Sequence, residues 1–197
     1  MAAKNSIKTN LELLYITSQA FPATKASEVQ VMQMCGAFAS IGAKVKLVAL
    51  EPDKNILSET DLQQYYDVLP NFEIKQLNRS NAPRPVDMFQ LQAILKEREE
   101  SILCYTRGRD VTAPILGLML GMYAVVEVHG KPASLKERLM LRLIQSHSKG
   151  MIVSISRNLR DLYINQMGFT RNRLVAAPGG VDTTRFNPNI SPDDARK

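Results

Sequence analysis

The sequence predicts an α/β domain: Rossmann-like, three-layered, with a mainly parallel central sheet. Three observations carry that expectation. Seven short apolar runs alternate with helical or polar segments, the order that builds βαβ units. The 197 residues are 45% apolar and 22% charged, enough for one core and too apolar for general disorder. No internal repeat or low-complexity stretch interrupts the alternation.

Leu11 to Thr17 reads as a buried strand, and Ser18 to Lys25 as a loop around Pro22. Ser27 to Ile41 has helical spacing through Val29, Met32, Cys35 and Phe38, and Gly42 stops it. Val45 to Leu50 is the second strand. After a polar excursion with a helix near Glu59 to Tyr66, Phe72 to Leu77 is a short strand. Asn78 to Val86 is a proline-rich loop, and Asp87 is placed to cap a helix from Met88 to Glu99. Ile102 to Thr106 is a strand, Ala113 to Leu120 a helix and Tyr123 to Val128 a strand. Leu135 to His147 is an amphipathic helix. Its stripe of Leu135, Leu139, Leu143 and Ile144 either packs on the sheet or contributes to an acceptor or membrane surface. Met151 to Ile155, Asn158 to Met167 (ended by Gly168) and Leu174 to Ala177 complete the series.

Two cysteines, Cys35 and Cys104, exclude a disulfide scaffold and a four-cysteine zinc site; both lie in apolar runs and read as reduced, buried thiols. That usage fits the cytoplasm. No apolar run reaches the roughly 20 residues of a bilayer span. The positive charge is uneven: residues 131–197 hold 12 basic and 5 acidic side chains. Such a patch suits phosphates or an anionic membrane surface, so peripheral membrane association is part of the expectation. It is also what an ordinary solvated face looks like. Nucleic acid is disfavoured, since no helix-turn-helix, zinc-finger or RNP pattern is present and tryptophan is absent.

Open parallel sheets bind ligands beyond the carboxyl ends of their strands. The first such loop lacks both the G-x-G-x-x-G fingerprint and the Walker sequence, which disfavours a standard NAD or ATP site. There, Ser27 and Glu28 either aim at a ligand or only satisfy free N–H groups of the next helix. Arg107 and Arg109 flank Gly108, so one can face the crevice with its fork of donors, and Asp110 either pairs with one of them or caps the next helix. Glu127 and His129 share a face of their strand by the period of two. His129 stands at the strand's lip beside Gly130, able to hydrogen-bond a sugar hydroxyl or move a proton, with Glu127 orienting it from below. The plain alternative ties His129 to backbone. His147 reads as a helix cap or surface residue. Ser156 is most simply an N-cap, and with Arg157, Arg107, Arg109 and Gly130 it is also a candidate for binding acceptor or donor. Neither a G-x-S-x-G elbow nor a metal-spaced set is present.

Three segments together resemble the N-terminal domain of a retaining, family-four-type glycosyltransferase of the GT-B fold. They are Lys25-Ala-Ser-Glu-Val-Gln with its helix, Val125-Val-Glu-Val-His-Gly130, and Val153-Ser-Ile-Ser-Arg-Asn-Leu leading to Ala177-Pro-Gly-Gly-Val-Asp-Thr-Thr-Arg-Phe-Asn-Pro188. The last is the strongest, and the resemblance runs from about Leu11 to Pro188. It implies that residues 1–188 form the acceptor-side domain and that 189–197 begin an interdomain connection or tail. It implies transfer of a sugar from a nucleotide-sugar donor to a sugar or lipid-linked acceptor, with retention and no intrinsic cofactor. The donor-binding C-terminal domain or subunit would be a required partner, and this chain alone would be inactive. His129 maps to the histidine that contacts the donor sugar, with Glu127 behind it. Lys25, Ala26, Ser27 and Glu28 map to the loop near the donor phosphates, where the family is usually richer in glycine. Gly179, Gly180 and Asp182 map to the interdomain hinge. A non-catalytic Rossmann-like binding protein and a fragment of a sugar-nucleotide epimerase are the competing readings.

Overall fold

The structure, a computed structural model, describes residues 11–77, 86–97, 102–108 and 110–180. Strand β1 is Glu12–Ala20, followed by α1 at Ala26–Ser40 and β2 at Lys44–Leu50. Then come α2 (Glu59–Tyr65), β3 (Glu73–Leu77), α3 (Val86–Glu97) and β4 (Leu103–Arg107). The chain continues through α4 (Thr112–Met119), β5 (Tyr123–Val128), α5 (Leu135–Ser146), β6 (Gly150–Ser154), α6 (Arg157–Met167) and β7 (Leu174–Ala176).

All seven strands join one parallel sheet in the order β3-β2-β1-β4-β5-β6-β7. The order reverses between β1 and β4, the switch point where such sheets open a crevice. The expected fold class is therefore the observed one. The residue alternation assigns the two faces. Register puts Tyr15, Tyr105, Val125 and Met151 in one row across β1, β4, β5 and β6. On this first face, α1 and α2 pack over β1–β3, with Val31, Met32, Cys35 and Leu62 meeting Tyr15, Leu47 and Tyr105. On the second face, α3 and α4 cover Leu14, Ile16 and Val48, while α5 and α6 cover Val126, Val128 and Ile152.

The first face is covered over only part of its width. Tyr123, Met151 and Val175 belong to it and are 49%, 38% and 47% exposed. Parallel sheets are ordinarily buried on both faces.

Local signals behave as their chemistry dictates. Ser156 caps α6, its hydroxyl accepting from Leu159 N–H at 3.1 Å, and Gly168 ends that helix in the left-handed region at φ 70°. His147 is the C-cap of α5. Both cysteines are free and buried, and burial pushes the Cys104 thiol up to about 12. Two expectations need correction. Strand β1 runs to Ala20, beyond Thr17, because Ala20 still pairs with Leu50 and Phe21 N–H donates to the Leu50 carbonyl. Helix α3 begins at Val86, one residue before Asp87, the expected cap position.

In α5 the leucine stripe splits. Of its four members Ile144 is buried, beside the equally buried Leu141 outside the stripe, whereas Leu135, Leu139 and Leu143 are 70%, 52% and 62% exposed. The three exposed leucines sit at i, i+4 and i+8, one line along the helix. Among the described residues no helix is long and apolar enough to cross a membrane.

Candidate functional site

The carboxyl ends of β4 and β5 bring four side chains together on the first face. Register aligns Tyr105 with Val125 and Arg107 with Glu127, and His129 follows just past β5. Glu127 is buried at 5% exposure. Its Oε1 lies 2.6 Å from His129 Nε2, and its Oε2 accepts from the Tyr105 hydroxyl at 2.5 Å. Arg107 lies alongside the imidazole, with Nε 2.8 Å from His129 Nε2, Nη2 3.5 Å from Nδ1 and Nε 3.4 Å from Glu127 Oε1. A single arginine thus faces both members of the pair.

Burial drives the Glu127 carboxyl upward, but hydrogen bonds from His129 and Tyr105 and the charges of His129 and Arg107 outweigh it. The net result holds it below the usual carboxylate range. Glu127 is accordingly an anion, with Oε1 facing His129 and Arg107 and Oε2 facing Tyr105. Burial and the adjacent Glu127 charge raise the Tyr105 hydroxyl, so it remains a donor.

The start of α1 closes the cluster from the other side. Arg107 Nη1 donates to the Ser27 carbonyl at 3.3 Å, across 80 residues of chain. Lys25 is the N-cap of α1 and makes no side-chain capping bond. The expected capping by Ser27 and Glu28 is thereby corrected: helix α1 begins at Ala26, so both residues lie inside its first turn, where the Ser27 hydroxyl donates to Glu28 Oε2 at 2.9 Å. Glu28 is buried, while Lys25 and Ala26 are exposed. A cavity of about 260 Å³ opens beside the imidazole, lined by Gly108, His129, Gly130, Lys131 and Glu137. The Gly130 carbonyl is held by the Tyr163 hydroxyl at 2.9 Å, which ties the lip to α6.

The other anticipated residues divide. Ser156 caps α6 and Arg157 is exposed in its first turn; among the described residues no hydrogen bond or ion pair joins them to His129. Gly179 approaches Gln30 of α1, and Gly180 lines a groove along the same helix. Arg109 and Asp182 lie outside the described residues. Asp110 accepts from Ser18 N–H and hydroxyl and from Gln90 Nε2, pinning the ends of β1 and α3 together. Val111 occupies the N-cap position of helix α4 and makes no side-chain capping bond.

Two features escaped the sequence. Tyr105 precedes Arg107 by two residues, as Glu127 precedes His129, so its face was legible from the period. Its contact with Glu127 was not, because β4–β5 register sets it. The Ser18–Asp110 link spans 92 residues and left no local signal.

Solved structures share this architecture at low sequence identity. A glycosyltransferase from Rickettsia africae aligns with a TM-score of 0.54 at 15% identity, over 95% of this chain and 48% of that one. A sucrose-phosphate synthase from Thermosynechococcus elongatus gives 0.53 at 10%, over 89% and 92%. The trehalose-6-phosphate phosphatase N-terminal domain from Candida albicans gives 0.53 at 13%, over 99% and 54%. The chain shares their fold. It spans about half the length of the Rickettsia and Candida chains. No family model matches the sequence, and no curated protein does.

Proposed function

We propose that this chain is the acceptor-side half of a retaining glycosyltransferase. It would work with a donor-binding domain or subunit to move a sugar from a nucleotide sugar to an acceptor hydroxyl. The observation that carries the reading is the Glu127–His129–Arg107 cluster, set at the carboxyl ends of β4 and β5 beside the start of α1. A fold shared with half of a glycosyltransferase chain supports it.

In this reading His129 hydrogen-bonds the transferred sugar, and the buried Glu127 anion fixes its orientation. The first turn of α1 presents N–H groups and the positive end of its dipole to the donor phosphates. Gly179 and Gly180 carry the chain toward the second domain. Stabilisation of the departing diphosphate falls to that domain, and closure over the cleft excludes water. The acceptor is a sugar or a lipid-linked molecule held on this half.

The exposed leucines of α5, flanked by exposed Lys136 and Arg142, support peripheral contact with an anionic membrane. Sedimentation with vesicles of rising phosphatidylglycerol content should show salt-sensitive binding that Leu139→Asp abolishes. Equal pelleting of both proteins, or none at low salt, removes the membrane from the reading.

The deciding experiment is transfer of labelled hexose from nucleotide-sugar donors, measured for the chain alone and with a donor-binding domain supplied. Transfer by the assembly that depends on His129 supports the proposal. Robust transfer by the 197-residue chain alone overturns the division of labour. An assembly that binds donor but never transfers favours the non-catalytic reading, and product formed without acceptor favours an epimerase.

A further inference from the structure

His129 Nε2 has two neighbours that make opposite demands. Glu127 Oε1, at 2.6 Å, is a carboxylate oxygen and only accepts, so it requires a proton on Nε2. Arg107 Nε, at 2.8 Å, only donates, so it requires a lone pair there. One ring nitrogen of a neutral imidazole meets one demand. Arg107 has other acceptors within reach, Glu127 Oε1 at 3.4 Å and the Ser27 carbonyl at 3.3 Å. Glu127 has one oxygen already committed to Tyr105. The shorter contact, to the buried carboxylate with no free oxygen to turn to, therefore claims the nitrogen.

We propose that Tyr105 is a positioning residue for His129: through Glu127 it holds the imidazole as the Nε2–H tautomer and leaves Nδ1 as an acceptor. The hydroxyl can do this because its ring does not move. Tyr105 is 6% exposed, with Tyr15 at 5.1 Å and Phe38 at 5.5 Å between ring centroids. A ring fixed by packing fixes its oxygen, the oxygen fixes the carboxylate, and the carboxylate fixes the imidazole. Nδ1 then meets the Arg107 Nη2 donor at 3.5 Å and can accept from a ligand hydroxyl in its place. This last consequence rests on the reading of His129 as the sugar-contacting residue; the tautomer does not.

The chain has two histidines, so imidazole NMR resolves both. Two-bond ¹H–¹⁵N spectra are recorded on the intact chain across a pH series and read at the alkaline plateau, where the ring ¹⁵N shifts no longer change. Wild-type His129 should show only Nε2–H. Tyr105→Phe removes one hydroxyl at nearly constant volume and should raise the Nδ1–H fraction of His129 severalfold. His147, whose Nδ1 accepts from Lys149 N–H, should not change. An unchanged His129 tautomer in folded Tyr105→Phe overturns the proposal, as does a wild-type ring protonated at Nδ1. If Tyr105→Phe does not fold, the wild-type Tyr105 hydroxyl decides. It should give a downfield, slowly exchanging proton that disappears in Glu127→Gln, and its absence overturns the proposal. None of these readouts depends on sugar transfer, so failure here and failure of the glycosyltransferase reading are distinguishable.

Discussion

The two halves of the sheet's first face are built alike and finished differently. Over β1 and β2, Tyr15 and Leu47 are fully buried beneath α1. Over β5, β6 and β7, Tyr123, Met151 and Val175 keep roughly two-fifths to half of their surface in contact with solvent. The strands are parallel and apolar in both halves, so the difference lies in the covering layer. The candidate site stands at the boundary. Glu127 and His129 belong to the open half, while Arg107 reaches to Ser27 on the covering helix. A site placed there has one rigid wall and one open side.

The largest expected effect tests this contrast directly. Leu47→Ala, in the covered half, should cost about 2–5 kcal/mol in urea unfolding. Val175→Ala, in the open half, should cost under about 1 kcal/mol. Comparable losses would mean that the open half is covered in solution.

Next comes the boundary itself. In the proposed assembly with a donor-binding domain, His129→Ala should lower kcat/KM about tenfold to a thousandfold, or roughly 1.4–4 kcal/mol of transition-state stabilisation, with the fold largely intact. His147→Ala, a helix cap away from the cluster, should leave turnover near wild type. A stable His129→Ala enzyme with wild-type kinetics would remove the residue from the mechanism.

A smaller effect concerns acid. The folded Glu127 carboxyl is held below its ordinary range, so the native state binds its proton less readily than the unfolded chain does. Its stabilisation is fully present above the unfolded value of about 4.3 and is lost as pH falls through the lower folded value. Glu127→Gln should remove that part of the acid loss and flatten stability against pH below about 4. Unfolding midpoints across that range measure it, and parallel curves for the two proteins would contradict the shift.

The smallest lies far from the boundary. Gly168→Ala forces a side chain into the left-handed cap of α6 and should cost about 1 kcal/mol. A neutral result would mean that the helix end relaxes.

Much of this molecule is written locally. The strands, the caps at Ser156 and Gly168, and the shared face of Glu127 and His129 follow from neighbours in sequence. Each depends on hydrophobic period, side-chain reach or backbone handedness over a few residues. The register of β4 on β5 does not. It set Tyr105 under Glu127 and Arg107 beside His129, contacts between residues 22 apart. The Ser18–Asp110 tie, the grip of Arg107 on the start of α1 and the bare half of the first face are equally non-local. A chain states which side chains share a strand face. Which strands lie side by side, and which helix covers them, is fixed only when the whole sheet assembles, because strand pairing and helix cover join residues far apart in sequence.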